Sequence, residues 1–258
     1  MRSLIDLLQN SGISEQQALM LVLLLITLPL LLLFTSQVRA GARPSLRPIR
    51  AFGHLRGLIG RGAETGQPVH VSLGTGGIAD SSAVESLAAV TLLEHIAGQS
   101  TASGTPLIVT VSDPTLLPLA QETARRSWEN RPYQYQASEP EARLVAPEPT
   151  AYAAGVVDIL LGENVAANVM VGRFGQEYLL MGETGVRSRV PQVVGATDPQ
   201  TLPFIYATAD ESLIGEEIYA SGAYLGGKAT HIASLRVQDW LRIVLSVVIL
   251  IGIVLSSL

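Results

Sequence analysis

The chain has 258 residues, of which 48% are hydrophobic and 15% charged, with a net charge of −5 and no cysteine. Disulfides and thiolate metal sites are therefore excluded, and the mildly acidic balance argues against a nucleic-acid-binding surface. Two apolar runs near the ends enclose about 200 residues, enough for one sizeable α/β domain or two small ones.

Residues 1–14 open with Arg2-Ser3-Leu4-Ile5-Asp6-Leu7-Leu8, whose apolar positions share one helical face until Asn10-Ser11-Gly12 ends the pattern. Two readings stand here: a short helix lying in a membrane interface, or a frayed lead-in. From Ala18 to Phe34 no side chain is ionisable. At 1.5 Å per helical residue, a run of about 20 residues crosses a hydrocarbon core of ~30 Å. Residues 15–38 are read as a first transmembrane helix, with Pro29 tolerated inside it. Ser14-Glu15-Gln16-Gln17 supplies a capping box. Val38-Arg39-Ala40 resembles a small-residue cleavage site, but the segment before it is long and carries Asp6 and Glu15, unlike a secretory signal.

Residues 39–66 form a basic juxtamembrane segment. Arg39, Arg43, Arg47, Arg50, Arg56 and Arg61 precede the first acid, Glu64, and Lys228, His231 and Arg236 sit just ahead of the second apolar run. This excess of cations predicts a cytoplasmic soluble domain with both termini outside. Headgroup contacts are expected from Arg39, Arg43, Arg47, Lys228, Arg236, Trp240 and Arg242.

Within the soluble domain, 67–227, elements alternate. Ile49 to Ile59 reads as a short amphipathic helix ahead of it. Pro68 to Leu73 reads as a strand, Gly74-Thr75-Gly76-Gly77 as a loop, and Ser82 to Ala97 as a helix with a Ser82/Glu85 capping box. Thr105 to Val111 is a second strand, flat and apolar as buried parallel strands are. Asp113-Pro114 starts a helix to about Glu129, and Pro132 to Gln136 offers a third strand. Glu139 to Pro149 reads as a connection, and Ala151 to Leu161 as a helix closed by Gly162. Asn168–Arg173 and Glu177–Met181 flank Phe174-Gly175-Gln176 as an antiparallel hairpin. Val190 to Thr197 is another strand, and Thr208-Ala209-Asp210-Glu211 caps a helix to about Leu225. The predicted fold is α/β, a Rossmann-like, mostly parallel sheet with that hairpin, flanked by two transmembrane helices. Residues 228–238 form a second juxtamembrane segment and 239–258 the second span. Its Ser246, Gly252 and Ser256 either admit another helix or face lipid.

Among candidate sites, the Gly74–Gly77 loop is foremost. It joins a strand to a helix start, where backbone N–H groups and the helix dipole hold anions, and Ser112 and Asp113 stand on the neighbouring loop. Against this, G-x-G-x-x-G is incomplete, Asp80 would repel phosphate, and plain tight turns use the same glycines. Gly222 to Ala229 nearly matches a phosphate loop, but Ala229 replaces the metal-binding hydroxyl and no strand precedes it. His54, His70, His95 and His231 show no metal-ligand spacing, and no G-x-S-x-G elbow is present.

Two stretches carry a resemblance: Leu46-Arg47-Pro48-Ile49-Arg50-Ala51-Phe52 through Pro68 to Gly77 and into the Ser82 helix, and Ala207 to Glu217. Together they resemble an uncharacterised family of membrane-anchored prokaryotic proteins carrying one domain of unknown function. The resemblance implies one continuous domain and assigns no catalytic residue.

The expectation is a non-enzymatic membrane-anchored scaffold subunit without a cofactor. Its expected partners are the lipid bilayer and either a second copy of itself or another membrane protein, with no nucleic acid. The alternative is a sensing module that binds a nucleotide or phosphorylated metabolite at residues 74–77.

Overall fold

A computed structural model describes residues 14–42, 46–129 and 140–257. Arg47–Gly226 forms one compact unit and the flanking residues a second. In the flanking unit, α1 (Glu15–Arg39) packs against α9 (Ala229–Ser257). Ser14 caps α1 as expected: its hydroxyl accepts from the Gln17 N–H, while the Gln17 amide oxygen accepts from the Ser14 N–H. The stretches Gln16–Arg39 and Ala229–Leu255 are long and apolar enough to cross a membrane, with mean hydropathies of 2.8 and 2.0. Only 11% and 6% of their most apolar windows are buried, unlike the core helices of a soluble protein. The Arg236 guanidinium lies 5.0 Å from the centre of the Phe34 ring. Of the N-terminal segment 1–14, read as an interfacial helix or a frayed lead-in, residues 1–13 lie outside the described residues.

The other unit is a six-stranded sheet in the order β3-β2-β1-β4-β5-β6, and every pairing is parallel. The strands are β1 (Val69–Gly74), β2 (Leu107–Val111), β3 (Glu141–Leu144), β4 (Ala167–Arg173), β5 (Gln192–Ala196) and β6 (Glu211–Ile214). Parallel neighbours need crossovers, and helices supply them. α2 (Arg50–Thr65), α3 (Ala83–Ser103) and α4 (Leu117–Glu129) form one outer layer. α5 (Pro149–Gly162), α6 (Tyr178–Arg187) and α7 (Leu202–Thr208) form the other. A 3-10 turn (Gly215–Ala220) and a single helical turn, α8 (Ser221–Tyr224), complete the first layer against α3.

Period-two alternation divides the sheet residues between two faces. Toward α2 and α3 the central strands present Val69, Val71, Leu73, Val109, Val169 and Val171, all buried. Toward α5 they present His70, Ser72, Thr110, Asn168 and Gln192 beside a cluster that includes Tyr152, Met170, Phe174, Tyr178, Met181 and Ile205.

Three expectations are corrected. The hairpin is absent: Glu177 to Met181 lies at and beyond the start of α6, the crossover that joins β4 to β5. The apolar run buries Tyr178, Met181, Gly182 and Gly185 at helical spacing and leaves Leu179 and Leu180 exposed. Four apolar residues, Tyr178 to Met181, are too few to separate the two periods. Likewise, Glu211 to Ile214 is an edge strand and not a helix, because Asp210 accepts the Gln192 N–H at 2.7 Å instead of capping its own chain. Finally, the Ser82/Glu85 box does not form: the Ser82 hydroxyl accepts from the Gly77 N–H, and Glu85 accepts from Thr197. The strand expected at Pro132–Gln136 lies outside the described residues, and β3 falls within the stretch read as a connection.

Candidate functional site

The chain leaves β1 toward β2 on one side and leaves β4 toward β5 on the other, so the switch point of the sheet lies between β1 and β4. Open α/β sheets bind ligands beyond the carboxyl ends of the strands at such a point. The Gly74–Gly77 loop sits there. Gly74 has φ +78° and Gly172 φ +145°, conformations that suit glycine. A Cβ at Gly74 would strike the Arg173 backbone, and one at Gly172 the Leu73 carbonyl, so the two strand ends abut.

The loop is stitched internally. The Gly74 N–H donates to Ser72 Oγ (3.3 Å), the Thr75 N–H to the Arg173 carbonyl (2.9 Å), the Gly77 N–H to Ser82 Oγ (3.0 Å) and the Ile78 N–H to Thr115 Oγ1 (3.1 Å). Four donors that an anion cradle would aim outward therefore have partners in the chain. Thr75 Oγ1 adds a second bond to the Arg173 carbonyl at 3.2 Å. Asp113 stands beside the loop, with a carboxylate oxygen 2.6 Å from where a Cβ at Gly77 would lie. Ser112 does not join them: its hydroxyl donates to the Ala146 carbonyl at 2.7 Å, toward the approach to α5. The Ser82 hydroxyl and N–H bonded to Asp80 hold that carboxyl below its usual range.

Residues that the pattern of the sequence did not single out complete the crevice. Arg173, at the end of β4, is exposed and donates to Ser81 Oγ at 3.4 Å. On the first turn of α3, Glu85 accepts from Thr197 through one carboxylate oxygen, while its Oε2 is buried without a hydrogen-bond partner. The fully buried Ser86 hydroxyl also has none, and a Cβ at Gly76 would lie 2.8 Å from it. Ile78, Val84 and Leu87 are exposed on the same loop and turn. The apparent capping pattern in the sequence had assigned Glu85 to the backbone. Its partner Thr197 lies 112 residues away, beyond any local signal.

Residues 9–258 match a domain of unknown function, DUF6754. The chain belongs to that family. No curated protein and no solved structure matches the chain.

Behind the loop, a row of hydrogen bonds crosses this DUF6754 domain under α5. His70 Nδ1 lies 2.7 Å from Asn168 Oδ1, and the Asn168 amide donates to Gln192 Oε1 at 3.0 Å. Nδ1 therefore carries the imidazole proton, and Nε2 accepts from Thr110 Oγ1 at 2.9 Å. With that hydroxyl proton engaged, Tyr152 donates to Thr110 Oγ1 (2.9 Å) and Ser72 donates to the Tyr152 oxygen (2.6 Å). At the far end, the Gln192 amide donates to the carbonyls of Gly182 and Thr208. Every donor points the same way, from the glycine loop toward the start of β5. Burial lowers His70 to about 4, against a smaller opposing pull from its Asn168 bond, and raises Tyr152 to about 12. Neither is poised for proton transfer near neutrality.

The other candidates disperse. No group of three His, Cys, Asp or Glu side chains among the described residues is arranged to hold a metal. Gly222 lies in α8 and Ala229 opens α9, so the near-match to a phosphate loop has a helix where a strand is required. Of the expected headgroup residues, Arg47 pairs with Glu217 at 2.6 Å within the α/β unit. Arg39 ends α1, Arg236 donates to Gln37 Oε1 at 3.4 Å, and Arg242 stands 3.7 Å from Asp239. Trp240 is exposed on α9 and Lys228 precedes that helix, while Arg43 lies outside the described residues.

Proposed function

We propose that the chain is a non-enzymatic scaffold subunit of a prokaryotic cytoplasmic membrane. In this reading α1 and α9 cross the bilayer, the α/β domain faces the cytoplasm, both termini lie outside, and copies of the chain associate. The observation that supports it most is how the domain closes on itself. Tyr224, its last aromatic residue, donates its hydroxyl to the Arg47 carbonyl at 2.6 Å, and its ring stacks on Phe52 at 5.2 Å. The two ends of the domain are thus fastened together, close in sequence to the two apolar helices. Closed ends of this kind suit a subunit that positions other components.

The absence of cysteine permits a clean test. Single cysteines at Ser81 and Ser3 are probed with a membrane-impermeant thiol reagent, in intact and in permeabilised cells. Labelling of Ser81→Cys only after permeabilisation, and of Ser3→Cys in intact cells, is expected; the reverse pattern overturns the orientation. Light scattering in a mild non-ionic detergent tests association, and a strict monomer across a wide concentration range overturns that part.

A second reading, a sensor binding a nucleotide or phosphorylated metabolite at residues 74–77, is favoured by the place of that loop at the switch point. The unpartnered Glu85 Oε2 and Ser86 hydroxyl beside it also favour it. Thermal-shift measurements with nucleotides and sugar phosphates should then show stabilisation of the wild type and none of Gly76→Val, whose side chain would enter the space against Ser82 and Ser86.

A further inference from the structure

On the layer opposite the hydrogen-bonded row, α2, α3 and α8 enclose a cavity of about 310 Å³. That is the lower end of the size range of small-molecule sites. Its walls divide by chemistry. One side is aromatic and apolar, formed by the stacked Phe52 and Tyr224 rings with Ile49 and Leu225 beside them. The other carries Arg56, His95 and Gln99, and no acidic residue lines it.

The polar side is built to donate. Arg56 is exposed and makes no hydrogen bond or ion pair among the described residues. The Gln99 amide donates to His95 Nε2 at 2.7 Å, which puts the proton of the neutral ring on Nδ1. Burial, and next the Arg56 charge, hold His95 below the ordinary imidazole range, with Glu94 opposing the shift. A guanidinium and an imidazole therefore line one space that no acidic residue lines. Gly53 lines the same space, and a Cβ built there meets nothing within 4 Å.

We infer that this cavity binds an organic phosphate: an oxyanion held by Arg56 and His95, carrying an apolar or aromatic body that lies against Phe52 and Tyr224. Two sources share that chemistry, a soluble phosphate ester and the headgroup region of an anionic phospholipid. Only Gly226, Gly227 and Lys228 separate Leu225 from α9 in sequence, so the lipid source needs its own arm in the test.

The test uses the full chain in a maltoside detergent and isothermal titration calorimetry with two probes. These are phenyl phosphate and short-chain dihexanoyl phosphatidic acid, with dihexanoyl phosphatidylcholine as the zwitterionic control. Saturable binding of at least one anionic probe is expected. Arg56→Gln should weaken it tenfold or more, and Gly53→Leu, which adds a bulky side chain at a position lining the cavity, should abolish it. Binding of phenyl phosphate supports the site with a soluble ester as the source. Binding of phosphatidic acid alone supports it with lipid as the source. Failure of both probes overturns the proposal, as does equal affinity in Arg56→Gln and Gly53→Leu variants whose unfolding curves match the wild type. Neither result bears on the membrane orientation or the association proposed above.

Discussion

On the side covered by α2 and α3, the central strands present apolar side chains, chiefly valine and leucine. On the side covered by α5, the same strands present a histidine, an asparagine, a glutamine and two hydroxyls in one continuous row. Both sides are buried, yet they are specified differently. The first is held by apolar area and tolerates any arrangement that fills it, at about 25 cal/mol per Å². The second requires each donor to meet one acceptor, because an unpaired buried polar group costs about 1–3 kcal/mol. Apolar burial contributes on both sides, because Met170, Phe174, Tyr178 and Met181 pack beside the row. The polar side fixes the register of β2, β1, β4 and β5, since a slip of one residue would break the whole row at once.

Substitutions on the two sides should separate these contributions. The largest expected effect is on the apolar side: Leu92→Ala on α3, where the side chain is 1% exposed, should cost roughly 4 kcal/mol with little dependence on pH. Urea unfolding of the full chain in detergent at pH 7 and pH 5 checks both parts.

On the polar side acid is the probe. The unfolded chain protonates His70 near 6.5 and the folded chain only near 4, so between those values the unfolded state binds the extra proton. Stability from this group is therefore complete above about pH 6.5, falls as pH drops through that window and levels off below 4. The total loss is about 3 kcal/mol. His70→Leu should remove that slope. It should also cost about 2 kcal/mol at pH 7, because Asn168 Oδ1 and the Thr110 hydroxyl lose a partner. An unchanged slope in the variant would assign the acid sensitivity to carboxylates elsewhere.

Tyr152→Phe is a milder break. It deletes the hydroxyl joining Ser72 to Thr110 and keeps the ring in its cluster, so a loss of about 1.5 kcal/mol is expected. The smallest effect belongs outside both layers: Arg47→Ala removes an ion pair whose arginine side chain is 79% exposed. A change below about 1 kcal/mol in the same unfolding measurement is expected.

Much of this arrangement was legible in the sequence, and the exceptions have physical causes. β1, β2 and β5 read as short apolar runs bounded by turn residues, and the Ala18–Phe34 run read as a helix from its length alone. α6 did not, because Tyr178-Leu179-Leu180-Met181 fits a strand as well as a helix until a parallel partner demands a crossover. Asp210 looked like a helix cap because side chains that cap helices also serve neighbouring strands. The glycine loop was found at the correct end of the sheet, since strand, glycines and helix start are local signals. What surrounds it was not. Glu85 meets Thr197, Arg173 meets Ser81, and Arg56 joins His95 through tertiary packing that no window of sequence contains.

The bond between Tyr224 and Arg47 also has a consequence in time. It joins residues 177 positions apart, and at a synthesis rate of about 5–20 residues per second the second partner follows the first by roughly 9–35 s. Throughout that interval Phe52 on α2 lacks the ring it stacks on. In the proposed membrane setting α2 emerges directly behind α1, with Arg50, Arg56 and Arg61 along an amphipathic helix. A helix of that composition would rest on an anionic bilayer surface until the final turn of the domain is made.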